Sequence, residues 1–201
     1  MRCPCPGDDV FASVIDHMPN DGCCYTYIFP CAWEDHCKIG FSRNPLDRIS
    51  SLHRRWYDAF DLDRIVLLET DSVRESRALE LRLRRPLAAY DAPPPSTMRI
   101  EAAGLTEWFR SVSDPLQCAV NSLATEGYRV HRGRPWMTDE LNARSDRLFE
   151  WTLAQLSVDD LDAGIPTPDR AHVRDALDAF TSLGIDPGNK LSPDVLAWYR
   201  R

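Results

Sequence analysis

The stretch CYTYIFPCAWEDHCKIGFSRNPLDRI, residues 24–49, decides the fold. Tyr25, Tyr27 and Phe29 alternate with Thr26 and Ile28, the period of two that marks a β-strand, and Pro30 closes it. A polar turn, Ala32 to His36, leads to a second strand over Cys37 to Ser42. A connection this short joins antiparallel partners. Asn44-Pro45-Leu46-Asp47 then starts a helix. Asn caps it, Pro suits the first helical position, and an acid occupies the first turn. Leu46, Ile49, Leu52 and Trp56 mark its buried stripe.

Downstream, Arg64 to Glu69 (RIVLLE) reads as a third strand, apolar enough for the interior of a small sheet. Ser72 and Glu75 form a capping box for a helix over residues 73–90, and Pro86 kinks or interrupts it. After the loop Ala92 to Ser96, Thr106-Glu107-Trp108-Phe109 is expected to open a helix reaching Thr125. Helices are expected over about residues 138–162, 168–183 and 192–200, punctuated by Gly164, Pro166, Gly184, Pro187 and Gly188. Upstream, residues 1–22 read as a loop and a short helix. The expected fold class is α+β: a small three-stranded mixed or antiparallel sheet flanked by helices, followed by a helical C-terminal extension. The expected segments are 1–22, 23–110 and 111–201.

Composition bounds the function classes. The chain has 201 residues, 43% hydrophobic and 27% charged, which excludes a mostly disordered protein. Its net charge of −7 argues against coating nucleic acid by bulk attraction. The charge is unevenly placed, however. Between Lys38 and Leu87 eleven basic residues face eight acidic ones, so that segment carries +3 and the rest −10. Six of seven cysteines lie in the first 37 residues. No apolar signal segment or membrane span is legible, so a cytoplasmic setting with reduced thiols is expected. Cys3, Cys5, Cys23 and Cys24 lack the C-x2-C spacing that tetrahedral zinc favours, and scattered free thiols are the better reading.

Four residues stand out chemically: Tyr27 on the first strand, Lys38 on the second, Arg48 in the first turn of the capped helix, and Glu80 on the next helix. Glu80 shares a stripe with Leu83 and Leu87, and a carboxylate on an apolar face requires a cationic partner or a metal. Gly40 lies on the Lys38 face of its strand and is expected to open the sheet backbone to a bulky ligand. Bland readings stand beside these. Glu80 and Arg48 also read as a structural ion pair, Tyr25 and Tyr27 as core aromatics, Lys38 as an edge-strand charge, and His53 as a solvated helix residue. His36 beside Cys37 reads as an exposed turn, and Asp159, Asp160 and Asp162 as solvated surface.

In order and spacing these residues resemble the GIY-YIG nuclease superfamily, in its phage and bacterial branch whose second motif reads Lys-Ile-Gly. The segment Lys38-Ile39-Gly40 is followed by Arg48 ten residues on, and Tyr27 precedes Lys38 by eleven. Glu80 to Leu87 looks like the branch's E-x-x-L-H-x-x-F helix, with Arg84 where His is usual, and Glu107-Trp108-Phe109 resembles its closing Glu-Trp-Phe. The resemblance covers about residues 24–110. The first motif departs from it, reading Tyr25-Thr26-Tyr27, so Tyr25 competes for the role given to Tyr27.

The resemblance implies a divalent-metal-dependent endonuclease that hydrolyses phosphodiester bonds in DNA. Glu80 would hold Mg²⁺ or Mn²⁺, Tyr27 would orient or deprotonate the attacking water, and Lys38 and Arg48 would supply positive charge. Gly40, Ser42, Arg43 and His53 would line the substrate path. The alternative is a catalytically inactive module of the same fold, binding nucleic acid or protein, or serving as a toxin or effector in phage and mobile-DNA conflict. A protein partner would meet the acidic helical C-terminal region; no membrane is expected.

Overall fold

The computed structural model describes residues 23–98, 106–162 and 170–201. The expected loop and helix over 1–22 lie outside the described residues. The class is α+β, with a five-stranded antiparallel sheet. Strands β1 (Cys24–Pro30) and β2 (His36–Ser42) form the expected hairpin, with Tyr27 opposite Gly40 and Phe29 opposite Lys38. Helix α1 (Pro45–Leu52) follows, capped by the Asn44 side chain, which accepts from the Asp47 amide. It ends at Leu52, and Trp56 belongs to a separate turn of helix, α2 (Trp56–Ala59). Leu46, Ile49, Leu52 and Trp56 are all fully buried, as the stripe required.

Strand β3 (Val66–Thr70) pairs with β1, which therefore runs down the middle of the sheet. Ser72 caps α3 (Val73–Arg84) by accepting from the Glu75 amide. The helix gives way at Arg85 to a 3₁₀ turn (Arg85–Tyr90), because Pro86 has no amide to continue the ladder.

The sheet has five strands rather than three. Residues 106–110 do not open a helix. Glu107 (φ 73°) and Ser111 (φ 55°) adopt left-handed backbone, which interrupts helical winding. Between them β4 (Trp108–Arg110) pairs with β2, matching Lys38 to Trp108 and Cys37 to Phe109. Adjacent side chains of a strand point to opposite faces, and both Trp108 and Phe109 are buried. Helix α4 (Ser113–Thr125) comes only after this strand. β5 (Arg129–Arg132) adds the fifth strand beside β3. Its sequence, RVHR, carries one strongly apolar residue and so no strand signal.

Val112, just before α4, and Leu116, Val120 and Leu123 within it join Leu79, Leu83 and Leu87, on and just after α3, against Ile28, Ile39, Val66 and Leu68. At about 25 cal/mol per Å² of apolar surface, this cluster supplies the main driving force for closing one face of the sheet. α4 and β5 thus belong to the same compact unit as the sheet, which extends to Met137 and not only to 110.

The second unit contains Thr138–Arg201. The boundary falls within α5 (Gly133–Arg144), and α6 (Leu148–Gln155), α7 (Val158–Asp162), α8 (Ala171–Ser182) and α9 (Pro193–Arg200) follow. Trp151, Val173, Leu177, Phe180, Val195 and Trp198 are buried in it. Asp160 accepts from the Ser157 amide at 2.9 Å and from Arg170 Nε at 2.9 Å, and its own amide donates to Ser157 Oγ at 3.2 Å, a capping box at the start of α7. No helix among the described residues is long and apolar enough to cross a membrane.

Candidate active site

Antiparallel register puts Tyr27, Phe29, Lys38 and Gly40 on one face of the hairpin. The Tyr27 ring stacks on Phe29, with centroids 4.1 Å apart and planes 8° from parallel. It also lies over Gly40, where a Cβ would sit 2.6 Å from Tyr27 Cζ. Gly40 therefore makes room for the tyrosine ring, not for a ligand at the sheet backbone. This fixes the phenol oxygen, which accepts from Arg48 Nε at 3.2 Å. Tyr25 faces other aromatics, edge-on to Trp136 at 5.3 Å and to His131 at 5.9 Å. Tyr27 is thus joined to Arg48.

Lys38 is fully buried, and β2 is flanked on both sides, so it is not an edge-strand charge. Its ammonium donates to the Thr106 carbonyl at 2.7 Å and lies 3.2 Å from Glu107 Oε2, beside the Trp108 ring at 5.4 Å. The left-handed backbone at Glu107 is what presents that carboxylate, while its carbonyl accepts from the Ile39 amide at 3.1 Å. Backbone held in a sparsely populated region costs about 1–3 kcal/mol and concentrates at functional sites.

Glu80 is buried and pairs with Arg84 one helical turn on, Nη1 to Oε1 at 2.8 Å, rather than with Arg48. The same Nη1 lies 3.3 Å from Glu107 Oε1. Lys38, Glu107, Arg84 and Glu80 thus form a chain of alternating charge. Arg84 and Glu107 are the members that residue-by-residue reading missed. The i,i+4 spacing from Glu80 pointed to Arg84, whereas Glu107 was legible only as the start of the closing Glu-Trp-Phe, and its place beside Lys38 comes from the pairing of β4 with β2.

The fields of these groups overlap. Burial raises the Tyr27 phenol above its ordinary range, while Arg48 pulls it back and Glu107 and Glu80 push it further up. Burial lowers the Lys38 ammonium, with Glu107 opposing. Burial likewise raises Glu80, with the Arg84 hydrogen bond opposing.

The remaining expected residues lie elsewhere or serve the fold. Ser42 Oγ donates to the Asn44 carbonyl at 2.9 Å, stabilising the approach to α1. Arg43 is exposed. His53 caps the end of α1 and lines a cavity with Trp33, Arg55, Asp58, Pro95 and Met98, a cavity whose described lining does not include Tyr27, Lys38 or Glu80. His36 Nδ1 lies 3.3 Å from Glu34, and Cys37 is buried. Cys3 and Cys5 lie outside the described residues, and Cys23 Sγ donates to Glu69 Oε1 at 3.6 Å.

The donor set is oxygen only, which suits a hard divalent cation held by one or two carboxylates with water completing its shell. Among the described residues no group of three or more His, Cys, Asp or Glu side chains is arranged to hold an ion. Arg84 engages Glu80 Oε1, and Oε2 makes no hydrogen bond among the described residues. Glu80 and Glu107 thus fit Mg²⁺ in donor chemistry. Comparison with family models, with curated proteins and with solved structures finds no match for this chain.

Proposed function

We propose that this protein is a GIY-YIG-type endonuclease that hydrolyses phosphodiester bonds in DNA with Mg²⁺ or Mn²⁺, in a reducing cytoplasmic setting. The observation that carries the reading is the Tyr27–Arg48 hydrogen bond, held in the same electrostatic field as the buried Lys38 and Glu80. Glu80 would hold the metal, whose charge would stabilise the scissile phosphate and the leaving oxygen. The Arg48 guanidinium offers a planar fork to a phosphate oxygen. Tyr27 keeps its proton, because burial raises the phenol. It therefore orients the attacking water through its hydroxyl and does not act as the base. Lys38 adds positive charge without exposing it, and it fixes Glu107.

Nicking of supercoiled plasmid with Mg²⁺ or Mn²⁺ tests the proposal. Wild type is expected to nick, and Glu80→Ala and Arg48→Ala to lose at least 100-fold in rate, the scale on which positioned charge contributes to catalysis. Equal cutting by wild type and Glu80→Ala overturns the assignment.

A second reading rests on one observation, the Arg84 guanidinium seated on Glu80. If that pair is permanent, the fold is a non-catalytic binding module for nucleic acid or protein, of the kind a toxin or effector would carry, with the acidic C-terminal region free for a protein partner. Duplex binding without cleavage across several divalent metals would favour it.

A further inference from the structure

Arg84 contacts two carboxylates through a single nitrogen. Nη1 lies 2.8 Å from Glu80 Oε1 and 3.3 Å from Glu107 Oε1, and Glu107 Oε2 takes Lys38 at 3.2 Å. Two acids and two bases balance to zero, so the cluster is self-neutralised without a metal ion. Burying Glu80 with no counter-charge would be costly, and Arg84 supplies that charge from within the chain.

The pairing is nonetheless imperfect. Arg84 does not present its fork to either acid, since only Nη1 engages them. Its Nε is buried with no hydrogen bond among the described residues. A bidentate guanidinium–carboxylate pair satisfies both groups, whereas a single-nitrogen contact leaves donors unused. Arg84 stands at the last residue of α3 with its side chain 26% exposed, so it has solvent to move into.

We propose that Arg84 is an internal counter-cation that competes with the divalent ion for Glu80. The inference rests on the nuclease reading, in which Glu80 is the metal ligand. Arg84 then acts as a positioning and gating residue. It offsets the buried Glu80 charge in the metal-free protein, and it raises the ion concentration needed to load the site. Removing it leaves Lys38 as the cation still paired in the cluster, against Glu80 and Glu107, so the cluster turns net negative and draws a dication.

Mn²⁺ binding by the loss of the free-ion EPR signal, measured on the full chain without DNA, tests this. Arg84→Gln is expected to bind Mn²⁺ at least tenfold more tightly than wild type. The gain is expected to vanish in Arg84→Gln/Glu80→Gln. Arg84→Met, which fills the same space without polar atoms, is expected to behave like Arg84→Gln, and circular dichroism shows which variants are folded. If Arg84→Gln and Arg84→Met bind no more tightly than a wild type that still nicks plasmid, the competition is overturned and the nuclease reading stands. Tightening that survives Glu80→Gln places the ion elsewhere and also overturns it. Absence of both binding and nicking in every folded variant overturns the two readings together.

Discussion

Arg48 Nε donates to the Tyr27 hydroxyl at 3.2 Å, tying the first turn of α1 to the central strand of the sheet. The contact needs three things at once: the Asn44 cap that starts α1 where it does, the stacking of Tyr27 on Phe29, and the absence of a side chain at position 40. None of these residues is adjacent to all the others in sequence, yet each is needed to aim the phenol.

Tyr27→Phe removes the hydroxyl and keeps the stacked ring. Stability is expected to change by about 1 kcal/mol or less, the net worth of one hydrogen bond. Nicking is expected to fall by about 100-fold, and chemical denaturation beside a plasmid assay separates the two effects. A variant that cuts at the wild-type rate would return Tyr27 to the status of a core aromatic.

Gly40→Ala places a methyl group 2.6 Å from Tyr27 Cζ. The ring is hemmed in by Phe29 and must shift, which costs about 1–3 kcal/mol as overpacking. A lowered melting temperature together with reduced nicking is the expected outcome. A tolerated alanine with full activity would show that the ring is free to move.

Lys38→Met removes a buried charge and keeps the volume. Glu107 retains Arg84 and is partly exposed, so no uncompensated buried charge remains. Replacing a buried ion by an apolar side chain is often neutral or stabilising. The melting temperature is therefore expected to hold or rise while nicking is lost. A large loss of stability would mark Lys38 as structural.

The cited shifts also set a pH window. Glu80 takes the metal ionised, and burial raises it in the metal-free protein, so with metal well below saturation the acid limb of kcat/KM moves above the ordinary glutamate value. Lys38 works protonated, and burial lowers it, so the alkaline limb moves below the ordinary lysine value. The profile is expected to be narrower than free side chains would give, on both sides. With metal well below saturation, an acid limb at or below the ordinary glutamate value would contradict the assigned role of Glu80.

Local chemistry made much of this legible in sequence. Strand alternation gave the β1–β2 hairpin, Asn44-Pro45 gave α1, and Ser72 with Glu75 gave the start of α3, because each signal acts within a few residues. Trp108 and Phe109 read as a helix start and form a strand instead, because two adjacent apolar residues also suit a strand buried on both faces. Only the left-handed backbone at Glu107 and Ser111 decides between them. The same backbone brings Glu107 to Lys38 and Arg84, contacts across 69 and 23 residues of sequence that no local pattern encodes. Gly40 was singled out for the right reason, missing bulk, but the space belongs to Tyr27.

Cleavage of a defined, end-labelled DNA duplex by wild type and Glu80→Gln at equal concentration, with Mg²⁺ and again with excess EDTA, tests the central claim most directly. Cleavage by wild type alone, abolished by EDTA, is the predicted result. Metal-dependent cleavage of the same rate by Glu80→Gln, or no cleavage by either folded protein, would contradict it.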